Sequence, residues 1–295
     1  MPSVNFKNHL HLHFIVFIWG FTAILGELIT LDALPLVWTR ILIAVGFVFL
    51  FIKFSKRSLV LNTKTITLFF ICGFVIAIHW LTFFHAIKIS NISITLACIS
   101  TGAFFTSLLE PIFYKRKIIW YEVFLGIMVV IGLLIIFSFE TQYIEGILTA
   151  LLSAALSATF SIINGKFANK YDSLIISFYE LLGGLFVLTV FLFLLGDFNA
   201  QVFNFQGFDW LWLLILGSVC TAYPFIATID IMKYLSPYTV MLTINLEPIY
   251  GTILAVILFT ENEKMTPAFY IGAIIILSTV ILNTYFKKLK KVSHN

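Results

Sequence analysis

Residues 115–170 read KRKIIWYEVFLGIMVVIGLLIIFSFETQYIEGILTALLSAALSATFSIINGKFANK. A cluster of basic residues (Lys115, Arg116, Lys117) opens an apolar run at about 119–137. A short stretch without lysine follows, and a second apolar run at about 144–165 ends at Lys166 and Lys170. Each run approaches or exceeds the roughly 20 apolar residues that a helix needs to cross the hydrocarbon of a bilayer. Lysine marks only their outer ends. Two membrane crossings joined by a hairpin on the lysine-free side are therefore expected.

The same alternation extends in both directions. Apolar runs lie at approximately 10–29, 34–52, 66–87, 92–112, 119–137, 144–165, 174–195, 210–232, 237–259 and 268–286. The chain of 295 residues is 61% hydrophobic and 11% charged, against roughly 25% charged in soluble domains. Its runs are too long and continuous for membrane strands, and in lipid the backbone must satisfy itself, so they are read as helices. The first run has no A-x-A cleavage site and carries Trp19, Gly20 and Thr22 in its middle, so it is read as a retained helix. Cys72, Cys98 and Cys220 are isolated within runs, with neither disulfide nor zinc spacing.

Of the 18 lysines and arginines, fifteen fall on the side that holds the N-terminus. Two, Lys88 and Lys264, fall on the other, and Arg40 lies inside a run. By the positive-inside rule both termini are cytoplasmic. The opposite loops are acidic or neutral, with Asp32, Glu140, Glu145, Asp197, Asp209, Glu261 and Glu263. No clustered basic face exists for nucleic acid, and no loop is long enough for a soluble domain.

A shift of about 145 residues superimposes Ala86-Ile87-Lys88 on Met232-Lys233 and Gly126 on Gly272. Each half, 1–140 and 141–295, then holds five runs. Because five is odd, the second half enters the membrane in the opposite sense. The expected fold is an all-α membrane protein of ten transmembrane helices, built as two inverted five-helix repeats.

Several residues stand out against this frame. A charge at mid-membrane costs at least about 2.5–3.5 kcal/mol, so such groups are either paired or functional. Glu247 lies near the middle of the ninth run, and Pro248 behind it removes a backbone donor. It is read either as a substrate or proton carboxylate or as a structural acid beside a kink. Arg40 and Glu27 are read first as a structural pair across the hairpin of the first two runs. The alternative is an outer-gate arginine that attracts a carboxylate. Glu110, Glu180 and Asp230 are read as gate or ion-pair residues, Asp230 beside Lys233. His79, Trp80 and Phe83 form an aromatic cluster with Phe84, and one face of that cluster meets a cavity. His79 is either a titrating group or an interhelical hydrogen bond. Trp19, Thr22, Thr101, Asn164, Tyr223, Asn245 and Tyr250 complete the cavity candidates, since lipid offers no partner for their polar atoms. Gly146, Ala150, Ala154 and Ala158 make a small-residue stripe for close helix contact. The alternating His9, His11 and His13 do not share a helix face, so no metal is expected. No enzymatic motif and no cofactor signature is present.

Ten runs as five plus five, Trp19-Gly20 in the first, Arg40 early in the second, Ser236-Pro237 opening the ninth and Leu246-Glu247-Pro248 within it resemble the EamA-type transporters of the drug/metabolite transporter superfamily. The resemblance implies export of small metabolites, often amino acids, through a cavity between the halves. It also implies that the first, third, fourth, sixth, eighth and ninth spans line that cavity. One departure is that Thr101-Gly102-Ala103 stands where the fourth span of the family often has proline. The function expected is a secondary transporter that exports a small metabolite, an amino acid or aromatic compound, across a bacterial inner membrane by alternating access. Its partners are the substrate and the lipid bilayer, with protons as the candidate coupling ion. The alternative is a non-transporting sensor or assembly protein on the same fold.

Overall fold

The computed structural model describes residues 4–115, 117, 119–196, 198, 203–259 and 265–292. Arg116, Asp197, Glu261, Glu263 and Lys264, which entered the loop-charge reading, lie outside the described residues. The described chain is helical: α1 (Val4–Leu28), α2 (Ala33–Phe54), α3 (Thr63–Ile89), α4 (Ile92–Ile99), α5 (Gly102–Tyr114), α6 (Trp120–Phe139), α7 (Ile144–Phe167), α8 (Ser173–Leu195), α9 (Asp209–Gly217), α10 (Tyr223–Ile231), α11 (Pro237–Ile244), α12 (Glu247–Leu258) and α13 (Pro267–Val292). A 3-10 turn (Thr141–Tyr143) precedes α7, and a π-turn (Ser218–Ala222) joins α9 to α10. Among the described residues, eight stretches are long and apolar enough to cross a membrane, with α4–α5, α9–α10 and α11–α12 each counted as one. The described apolar parts of α6 and α13, Trp120–Ile136 and Pro267–Thr279, are shorter.

Three runs expected to be single helices are interrupted, each for a local reason. At 100–101 the Ser100 hydroxyl donates back to the Leu96 carbonyl (3.2 Å) and that of Thr101 to Cys98 (2.7 Å). Such back-bonding competes with the helical ladder. Gly102 then opens α5 where a Cβ would lie 2.5 Å from Met241 Cε. At 245–246 the chain breaks before Glu247, and Pro248 occupies the first turn of α12, where its missing N–H leaves no bond unmade. In the eighth run Pro224 withholds the donor that the preceding turn needs. The ladder widens there, and Thr221 Oγ1 donates to the Leu216 carbonyl (2.5 Å) five residues back. The breaks at 100–101 and 245–246 lie 145 residues apart.

Helix neighbours follow the same spacing. Numbering the runs one to ten, run one packs on run nine and run six on run four. Run three packs on six and eight on one; three packs on seven and eight on two. Two meets seven, four meets nine and five meets ten. Adding or subtracting five exchanges these relations. The correspondence is incomplete: α5 packs on α6, whereas an outward-open groove of about 440 Å3 separates α12 from α13. The groove is lined by Pro248, Ile249, Thr252, Tyr270 and Ile274. Its counterpart, lined by Ala103, Phe104, Ser107, Leu125 and Val129, is reduced to about 20 Å3. Phe104 fills it, lying where a Cβ on Gly126 would be.

The bundle has two ends. The loop 29–32 and the starts of α9 and α13 lie at the lysine-poor end, where Glu140 accepts from the backbone N–H and hydroxyl of Thr266 (3.0 and 2.7 Å). At the lysine-rich end Tyr179 donates to the Leu59 carbonyl (2.7 Å), and Arg57 pairs with Asp172 (3.5 Å). The stripe Gly146, Ala150, Ala154 and Ala158 is buried throughout. A Cβ on Gly146 would sit 2.5 Å from that of Ser90, so α7 meets the end of α3 at backbone distance.

Candidate functional site

Between the two halves, level with the helix breaks, lies a cavity of about 90 Å3. That is several times the volume a single water requires. α1 contributes Trp19 and Thr22, and α3 contributes His79, Trp80 and Phe83. Glu247 enters from the first residue of α12. A broken helix lets a side chain reach the axis of the bundle without a continuous backbone in its way.

Arg40 overturns the pairing with Glu27. Its guanidinium turns inward to line the cavity and is 2% exposed. The carbon Cζ sits 4.3 Å from the Trp80 ring centroid and 5.3 Å from that of Phe84. Nε donates to Thr221 Oγ1 at 2.6 Å. A desolvated guanidinium over an aromatic face gains about 2 kcal/mol, which offsets part of its burial. Glu247 is the carboxylate that lines the same cavity among the described residues. Glu27 instead acts on Lys88 at the lysine-poor end.

His79 is held from α7. Its Nδ1 lies 2.9 Å from the Ser153 carbonyl and 2.8 Å from Ser153 Oγ, and Ser153 Oγ donates to the His79 carbonyl (2.9 Å). A carbonyl accepts only, so Nδ1 carries a proton and Nε2 is the remaining ring nitrogen. Replacing Ser153 by alanine removes two of these bonds, and unfolding in detergent is expected to show a loss of about 1 kcal/mol.

The other candidates lie elsewhere. Thr101 is fully buried and bonded to Cys98. Asn164 donates to Glu180 Oε2 (3.2 Å), joining α7 to α8, and both residues are completely buried. Asn245 is buried at the break after α11, outside the cavity lining. Tyr250 packs edge-on against Phe17 of α1 (5.5 Å). Tyr223 points away from the cavity: it is 42% exposed, and its hydroxyl meets His11 Nε2 at 2.7 Å. The π-turn explains this, because the extra residue turns Thr221, Phe225 and Thr228 inward and Tyr223 outward. Glu110 is buried on α5, and Asp230 pairs with Lys233 and accepts from Ser173 (3.2 Å).

The sequence reading missed Phe160, Phe225, Thr221 and the pair Ser157 and Ser161, all of which line the cavity. One signal was available. Ser153, Ser157 and Ser161 recur every four residues, a polar stripe beside the alanine stripe of the same helix.

The profile of the EamA-like transporter family matches residues 9–138 and 144–285. The chain belongs to the EamA-like transporter family. A solved structure described as "Crystal structure of protein" is similar in fold, with a TM-score of 0.69 at 16% identity, covering 94% of this chain and 97% of the other. No curated protein matches the sequence. In this EamA-like membrane protein both matched segments line the cavity, with Arg40 from the first and Glu247 from the second.

Proposed function

We propose that this protein is a secondary transporter that exports a small metabolite, an amino acid or aromatic compound, across a bacterial inner membrane by alternating access. The reading comprises ten crossings, as inverted repeats over 1–140 and 141–295, with both termini cytoplasmic. The 145-residue spacing of the helix breaks, the exchange of helix neighbours and the lysine asymmetry support it. An inverted pair of repeats can swap conformations, so that what one end adopts now the other adopts next.

The observation that carries the reading is that opposite charges from different halves, Arg40 and Glu247, share one buried cavity with aromatic walls. Arg40 Nη1 is buried without a hydrogen-bond partner among the described residues. A buried guanidinium donor left unmatched is costly, and a carboxylate is the acceptor that fits its fork. Glu247 suits an ammonium group or a coupling proton, and Trp80, Phe83 and Phe160 supply apolar area for a side chain. Proximity of these groups selects a small zwitterion over a bulk anion or cation.

The test is efflux of labelled amino acids from preloaded cells that express the protein. Glu247→Gln keeps the shape and removes the charge, and efflux is expected to fall by about tenfold or more while the protein still inserts. Parental efflux from that variant removes Glu247 from the mechanism. If no solute moves in cells with the native protein, a non-transporting sensor is the reading that remains.

A further inference from the structure

Lys88 and Lys233 occupy the same place in the two halves, 145 residues apart, each near the end of a long run. Their surroundings differ. At the lysine-poor end Lys88 Nζ donates to the Ile29 carbonyl at 2.7 Å. Ile29 follows the last residue of α1 and is fully buried, so the ammonium caps the carbonyl end of that helix, where a cation is favoured. Glu27, Asp32 and Asp209 are the carboxylates that act on its charge. The same loop is strapped from the other half: the Thr30 backbone N–H and hydroxyl donate to Asp209 Oδ1 (3.0 Å) and Oδ2 (2.6 Å). Asp209 Oδ2 also accepts from the Gln206 backbone N–H (2.9 Å). One turn inside Lys88, Phe84 fills the gap at Gly26, where a Cβ would be 2.4 Å from its ring. Below Phe84 is Trp80, on which Arg40 rests.

At the lysine-rich end the equivalent loop is 168–172, and Lys233 does not reach it. Lys233 pairs with Asp230 on its own run, and both side chains are partly exposed. The loop meets α3 through Tyr171, whose hydroxyl lies 3.3 Å from that of Thr65 and whose ring packs edge-on against Phe69 (5.3 Å), while Asp172 pairs with Arg57 just before that helix.

We infer that Lys88 is a latch holding the lysine-poor end shut, and that Lys233 is its counterpart, released in this state and closed on the 168–172 loop in the opposite one. The inference rests on the alternating-access reading. It adds which bonds change. When the lysine-poor end opens, Lys88 leaves Ile29, Phe84 leaves Gly26 and the cavity is exposed on that side. When the lysine-rich end closes, Lys233 exchanges Asp230 for a loop carbonyl.

Cys220 lines the cavity and is a native reporter. In a protein with Cys72 and Cys98 replaced by alanine, a membrane-impermeant thiol reagent is applied to either side of oriented membranes. Lys88→Met is expected to raise Cys220 labelling from the lysine-poor side by about tenfold, the loss of one charge-assisted bond expressed as a population. Lys88→Arg restores the parental rate, and Lys233→Met raises labelling from the lysine-rich side. If Lys88→Met does not accumulate, Thr30→Ala weakens the same loop and is expected to act in the same direction. Unchanged lysine-poor-side labelling in the accumulating variant overturns the latch, whether or not efflux persists. A side-specific rise supports it, and it does so even where no solute flux is found, in which case the transport reading alone falls.

Discussion

Arg40→Met is expected to lower the stability of the protein in detergent by about 3 kcal/mol, read from chemical or thermal unfolding. The guanidinium is almost fully buried, stacked on Trp80 and bonded to Thr221. Its loss removes the cation from the aromatic face, strips Thr221 of a donor and leaves Glu247 buried without the cation that shares its cavity. Removing one member of a buried charge pair costs about 3–5 kcal/mol, chiefly through the group left behind. The partner variant distinguishes this account from simple loss of packing. With Glu247→Gln also present the orphaned charge is gone, so the double variant should recover at least about 1 kcal/mol relative to additivity. Arg40→Lys keeps the charge but not the planar stack and should fall between the two. A double variant whose losses simply add would show that Arg40 and Glu247 do not sense each other.

Gly73→Val is expected to destabilise by about 2–3 kcal/mol through a different cause. α3 and α8 meet at backbone distance there. A Cβ on Gly73 would lie 2.8 Å from the Gly184 nitrogen and closer still to the Glu180 carbonyl. Neither obstacle is a flexible side chain, so the helices must separate, and overpacking of a fixed interface has this magnitude. Separation at that point also disturbs Glu180 and the bond it accepts from Asn164. Gly46 supplies the control: nothing lies within 4 Å of a Cβ there, so Gly46→Ala should be neutral or slightly stabilising. Equal losses at both glycines would sink the close-contact explanation.

The run lengths and the lysine pattern were legible because a bilayer imposes them: hydrocarbon demands length and translocation sorts lysine. The break before Glu247 was foreshadowed by Pro248. The break at 100–101 was not, since serine and threonine hydroxyls turning on their own carbonyls leave no distinctive spacing. Arg40 was misjudged for a physical reason. Glu27, at the same end of the hairpin, is the partner expected from sequence, yet the long side chain reaches across to an aromatic ring forty residues on. Tyr223 was misplaced because helical periodicity presumes 3.6 residues per turn, and the π-turn before it does not keep that count. Trp19, Thr22, His79, Trp80, Phe83 and Glu247 line the cavity. Which face of α7 joins them was encoded in the serine stripe and passed over.

The groove between α12 and α13 has a bearing on any laboratory handling of the protein. Ile253, Ile257 and Ile274 on its walls are more than half exposed, so their neighbours are whatever the surroundings provide. An apolar void at this depth stays dry and takes up hydrocarbon tails. The tails of a chosen surfactant then become part of the packing of the C-terminal helix, which leans chiefly on α6 for protein support. Melting temperatures gathered in micelles of different tail length should therefore diverge for this chain, and a value from one micelle is a property of the pair.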